Sequence, residues 1–181
     1  MTAALIVIDV QQGFSDTAYW GERNNPDFEA NLDRLLQTWT GPIVVVRHDS
    51  NSDGSPLQVG QSGNDLVPAV AALEPALLVT KSVNSAFYGE PDLQAWLQGA
   101  GVSELVICGI QTNMCVETTA RMAGNLGYDV TVTIDATHTF DLVGSDGTTL
   151  TADELSRATA VNLSGGGFAT VATTAQVLSA L

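Results

Sequence analysis

Lysine is nearly missing from this chain. Lys81 is the only one in 181 residues, and Arg23, Arg34, Arg47, Arg121 and Arg157 are the other fixed cations. Against these six stand 20 acidic residues, for a formal net charge of −14. That balance repels phosphate backbones and anionic headgroups, so no nucleic acid and no membrane surface is expected as a partner. Cysteine is scarce too. Cys108 and Cys115 stand in a spacing that makes neither a disulfide framework nor a Cys-x-x-Cys redox pair, and both are read as reduced thiols. No apolar run reaches the length of a membrane span, and the first residues lack the basic segment and cleavage site of a secretory leader. A cytoplasmic location is the expectation. Hydrophobic residues, at 45%, are too many for a disordered chain and suit a folded core.

What the sequence does hold is an alternation of short apolar runs with helical patterns. Ala3 to Val10, Ile43 to Val46, Ala76 to Thr80, Leu105 to Cys108, Asp129 to Asp135 and Phe168 to Thr173 read as six strands. The apolar ones have the character of strands buried on both faces. Helices are predicted over Pro26–Trp39, from Asn64 as a cap through Leu73, over Pro91–Gln98, Cys115–Leu126 and Thr151–Leu163, and over Thr174–Leu181. Thr151-x-x-Glu154 has the form of a capping box, and Gly109 is read as the residue that breaks the fourth strand. The pattern predicts an α/β fold: a three-layer, doubly wound, mostly parallel six-stranded sheet, Rossmann-like, in one domain over residues 1–181. A long polar loop from Arg47 to about Asn64 has the length of a functional segment.

Three unlike polar residues stand at or just beyond the C-terminal ends of different strands, the edge where open α/β sheets bind ligands. Asp9 closes an apolar run, where a carboxylate is either a structural acceptor or a working group. Lys81 directly follows the third strand. Cys115 sits where a strand gives way to a helix; it is either a thiol made reactive by the helix N-terminus or a small apolar residue of the first turn. Cys108, inside a strand, is read as packing. An acid, a lysine and a cysteine at one crevice would make an activated nucleophile. Gln11, Phe14, Trp20, Phe87, Gln111 and His138 are candidates for a pocket with aromatic walls and amide groups, suited to a small neutral or planar amide, though each also reads as packing. His48 is read as a loop or pocket histidine.

Asp9-Val10-Gln11-Gln12-Gly13-Phe14, Lys81-Ser82-Val83-Asn84-Ser85-Ala86-Phe87 and Gly109-Ile110-Gln111-Thr112-Asn113-Met114-Cys115-Val116 together resemble the isochorismatase-like cysteine hydrolases. Asp135-Ala136-Thr137 and Thr139-Phe140-Asp141 extend the resemblance over nearly the whole chain. It implies the isochorismatase-like hydrolase fold and a catalytic triad of Asp9, Lys81 and Cys115. It also implies a cis peptide at Ile110–Gln111 and an oxyanion site formed by N–H groups near Gln111 and Cys115. Hydrolysis of an amide, carbamoyl or lactam C–N bond through a Cys115 thioester follows, on a small-molecule substrate, in a homo-oligomer such as a dimer or tetramer. Nicotinamidases that resemble this chain carry an Asp-x-His pair and a further histidine for a metal. Here His48 is followed by Asp49 and the only other histidine is His138, so no metal and no cofactor are expected. Isochorismatases proper generally have another residue at the position of Cys115, which makes enol-ether hydrolysis the alternative chemistry. A thiol redox protein with Cys108 as resolving partner and a turnover-free binding protein are the readings of another class; reversible disulfide formation under peroxide would mark the former.

Overall fold

β1 (Thr2–Ile8) is apolar from Ala4 to Ile8, and all five side chains are completely buried. A strand like this must be covered on both faces, and each large aliphatic side chain so buried contributes about 1.5–3 kcal/mol. The computed structural model, which describes residues 2–181, places β1 near the middle of a six-stranded parallel sheet. Its partners are β2 (Ile43–His48), β3 (Leu77–Lys81), β4 (Val102–Ile110), β5 (Asp129–His138) and, taking the short outlying hairpin as β6 and β7, β8 (Thr170–Ala172). The spatial order is β3-β2-β1-β4-β5-β8. β1 pairs on one side with β2 and on the other with β4, so the direction of winding reverses between β1 and β4. That reversal opens a crevice at the strands' C-terminal ends.

Alternate residues of the strands feed two cores. Ala4, Ile6, Ile8, Leu105 and Ile107 pack with Leu93 and Leu97 of α4 (Leu93–Gly99), Ala120 and Ala123 of α5 (Glu117–Asn125) and Leu163 of α6 (Ala152–Gly165). Leu5, Val7, Cys108 and Ile110 face the other way. They pack with Phe28, Leu32 and Leu35 of α2 (Phe28–Thr38), Val70 of α3 (Pro68–Ala71) and Val177 of α7 (Thr174–Ser179). The 3.6-residue spacing of the apolar side chains in α2 and the period of two in the strands make this three-layer sandwich. No helix among the described residues is long and apolar enough to cross a membrane.

Several local expectations change. Gly109 does not end β4, which runs on to Ile110. β5 continues past Asp135 to His138, because the pairing slips between Ile107↔Val132 and Gly109↔Thr137 and leaves extra residues on β5. Asn64 caps no helix. Its amide nitrogen donates to the His48 and Leu57 carbonyls and to Asp49, while α3 starts at Pro68. Three short elements were not foreseen: α1 (Thr17–Trp20) and the hairpin strands β6 (Leu142–Val143) and β7 (Thr149–Leu150). The Thr151 capping box is present at the start of α6.

Candidate active site

The residue after β1 turns the chain off the sheet, and that residue is Asp9, at φ +52° and fully buried. Aspartate tolerates this left-handed backbone better than most side chains. β3 ends at Lys81, in register with His48 at the end of β2, and its long side chain reaches across that strand end toward β1. β4 is followed by a cis Ile110–Gln111 peptide and one wide turn, Thr112–Val116, before α5 begins. Cys115 lies in that turn. The three residues meet: Lys81 Nζ donates to Asp9 Oδ2 at 2.6 Å and to Cys115 Sγ at 3.3 Å, and both charged side chains are completely buried.

Burial is the largest influence on this cluster. It raises the Asp9 pKa, against the pull of Lys81 through charge and hydrogen bond. It also raises Cys115, an effect the neighbouring Asp9 carboxylate reinforces and Lys81 opposes. The helix N-terminus was expected to favour thiolate; desolvation outweighs it and favours the protonated Cys115 thiol, beside a carboxylate of increased basicity. Asp9 Oδ1 has no hydrogen-bond partner among the described residues, and Asp9 and Cys115 offer atoms within 4.8 Å of each other, which leaves that oxygen open to take the thiol proton. Cys108, by contrast, is pushed up to about 12 by burial alone and belongs to the opposite core. The sheet separates the two free thiols, so Cys108 is poorly placed as a resolving partner.

Asp9, His48 and Cys115 hold donor atoms within 4.8 Å of one another, the makings of a metal site. The place at their centre is filled from within the chain, because the Lys81 ammonium is in hydrogen-bond reach of all three. A second cation there would meet Lys81 head on. Asp49 does not contribute, since Arg47 and Asn64 hold its carboxylate.

Above the cluster opens a pocket of about 510 Å³. Phe14, Trp20 and Phe140 form one wall, with ring centroids 5.0 to 6.3 Å apart, and Tyr19, Leu57, Met114 and Leu142 complete the apolar lining. Asn84, Gln111 and Asn113 supply amide groups, and Cys115 Sγ lies 3.7 Å from Asn84 Oδ1. Of the pocket residues expected from sequence, Phe14, Trp20 and Gln111 line this space. Gln11, Phe87 and His138 do not. The Gln11 amide is a buried clamp on backbone groups of His48 and Asn64. Phe87 packs into the α4–α5 core and stacks on Tyr128 at 6.2 Å. His138 is held edge-on between Phe28 and Phe140, beside a separate cavity on the α2 side. Tyr19, Asn84 and Leu142 were not placed in the pocket by sequence, whereas His48, read as a loop or pocket histidine, does line it. Asn84 sits within a quoted motif, but nothing in its residue type announces contact with the thiol.

Comparison with known proteins settles the class that this fold and site define. The Isochorismatase domain matches residues 3–176, and the chain belongs to the isochorismatase family of hydrolases. An uncharacterised isochorismatase family protein of Bacillus subtilis, YrdC, is 34% identical over 97% of this chain and 94% of its own length. Nicotinamidase 3 of Arabidopsis thaliana is 31% identical over 91% of this chain and 81% of its own. A streptothricin hydrolase of Streptomyces noursei is 35% identical over 77% of this chain, a match that spans 50% of that longer protein. Among solved structures, an isochorismatase-family protein from Chromobacterium violaceum superposes with a TM-score of 0.90 at 37% identity, covering 99% of this chain and 93% of the other.

Proposed function

We propose that this hydrolase is a cysteine-dependent amidohydrolase that cleaves the C–N bond of a small amide, carbamoyl compound or lactam. The observation that carries the reading is the single buried ammonium of Lys81 holding the Asp9 carboxylate and the Cys115 sulfur together at the pocket floor. Asp9 takes the thiol proton as Sγ attacks the scissile carbonyl carbon. Backbone N–H groups of the Gln111–Cys115 turn hold the oxyanion, and Lys81 keeps its charge beside the anions throughout. Asp9 then passes the proton to the departing nitrogen, leaving a Cys115 thioester. Water, deprotonated by Asp9, adds to the thioester, and the thiol is regenerated as the acid leaves. Relatives named nicotinamidase and streptothricin hydrolase favour this chemistry over enol-ether cleavage, and reduced thiols suit a cytoplasmic setting.

The test is ammonia or amine release from a panel of small amides, carbamoyl compounds and lactams, by wild type and Cys115→Ala, with and without a chelator. Wild type turns over at least one compound, Cys115→Ala loses at least ~10³-fold while retaining its circular dichroism, and the chelator has no effect. Undiminished turnover by the variant would sink the proposal, as would hydrolysis confined to enol ethers.

A further inference from the structure

An ammonium carries three N–H donors and no acceptor. Lys81 Nζ has three polar neighbours within reach: Asp9 Oδ2 at 2.6 Å, His48 Nδ1 at 3.1 Å and Cys115 Sγ at 3.3 Å. One donor goes to each, so His48 Nδ1 has to present its lone pair. A neutral imidazole in that arrangement carries its proton on Nε2. Burial and the charge of Lys81 both hold the ring's pKa below the ordinary value, against opposite pulls from Asp9 and Asp49, which favours the neutral ring.

The backbone under this ring is braced. His48 N–H donates to Gln11 Oε1 at 2.8 Å, and its carbonyl accepts from Gln11 Nε2 at 2.9 Å and Asn64 Nδ2 at 3.0 Å. The half-buried ring lines the pocket, and its contact with Lys81 is its sole hydrogen bond among the described residues. Nε2–H has no partner among the described residues. Gln111 can turn an N–H or a C=O to a ligand, whereas Asn113 Oδ1 accepts from the Thr139 hydroxyl, Asn84 Oδ1 faces the Cys115 thiol, and His48 presents a donor. One of its nitrogens lies within 4.8 Å of Cys115 Sγ. A donor lining the same pocket as that sulfur is placed to meet an acceptor of the molecule under attack, at an N–H···O separation of about 2.9 Å.

We propose that His48 orients the substrate: its Nε2–H donates to an acceptor on the substrate near the carbon attacked by Cys115, selecting amides with a second acceptor close to the scissile carbonyl. The substrate class rests on the amidohydrolase reading; the tautomer and the donor role do not.

Two measurements test it without turnover. Imidazole ¹⁵N NMR is clean here, because His48 and His138 are the only histidines and His138→Gln assigns them. His48 is expected as the neutral Nε2–H tautomer at pH 7; a ring protonated on Nδ1, or charged, overturns the proposal. The second compares Cys115 alkylation by iodoacetamide, whose carbonyl oxygen sits next to the attacked carbon, with alkylation by allyl iodide, which lacks an acceptor. In both, the S–C bond forms as C–I breaks, iodide leaves and Asp9 takes the thiol proton. His48→Asn keeps an acceptor for Lys81 but removes the pocket donor, and should slow iodoacetamide about five- to tenfold relative to allyl iodide, the worth of one hydrogen bond. His48→Gln, with an amide N–H near the Nε2 position, should recover part of that loss. Equal slowing of both reagents overturns the donor role. An intact donor signature in a protein that releases no amine from any amide would instead fault the amidohydrolase reading.

Discussion

Asp9 and Lys81 put opposite charges at 2.6 Å with neither side chain exposed to water. A buried pair of this kind adds little net stability, yet removing one partner strands the other, at a cost of about 3–5 kcal/mol. Lys81→Met should therefore lower the urea midpoint by that equivalent, and the double variant Asp9→Leu/Lys81→Met should regain a large part of it while remaining inactive. A double variant as unstable as the sum of its singles would show that the pair does more for the fold than neutralise itself. His138 gives a pH effect. Its pKa is lowered to about 3 by burial, with Arg23 adding to the effect, against an ordinary value of 6.5. The unfolded chain thus binds a proton that the folded chain refuses, and stability falls as pH drops from about 6.5 toward 3, by on the order of 5 kcal/mol once both values are passed. In urea titrations across that range, His138→Gln should flatten the decline. Asp9, Lys81 and Cys115 were legible in sequence because each is out of keeping with its apolar surroundings or ends a strand. Gln11 and His138 were misjudged because proximity along the chain does not tell which way a side chain turns, and Asn84 was missed because its contact with Cys115 joins distant loops.

Among the elements, β4 leaves no room for a side chain against β1 at Gly109. Its φ of +121° is a conformation that L side chains rarely adopt, and a Cβ there would fall on the Ile8 carbonyl oxygen. Gly109→Ala should cost about 3 kcal/mol or more, read from the denaturation midpoint, and should displace Asp9, which follows Ile8, so that residual activity falls further than stability explains. A variant with wild-type stability would mean that β1 can shift at no cost. The β and α pattern was readable because fully buried parallel strands leave uninterrupted apolar runs and the helices keep one apolar face. The β6–β7 hairpin escaped notice because its strands are two residues long and exposed, so burial imprints no pattern on them. The extension of β5 was hidden for a different reason: its extra residues bulge out of register with β4.

Across the whole molecule the charge of −14 repels itself. Salt screens that repulsion, so raising NaCl from 10 mM to 0.5 M should increase Tm by about 2–4 °C, equivalent to roughly 1 kcal/mol for a chain of this size. A falling Tm would indicate that local ion pairs such as Arg23–Glu29 and Arg121–Glu117 outweigh the net charge. The overall architecture followed from the strand and helix alternation, while the strand order that brings β1 and β4 together depends on pairing between distant segments and is visible only in three dimensions. The burial of Lys81 has a practical side as well. With its only ε-amine sealed inside, the folded protein offers amine-reactive dyes, fixatives and acylating agents no lysine on its surface. Acylation of Lys81 becomes a chemical clock for opening of the fold: each modified molecule is one that exposed the centre of its own site.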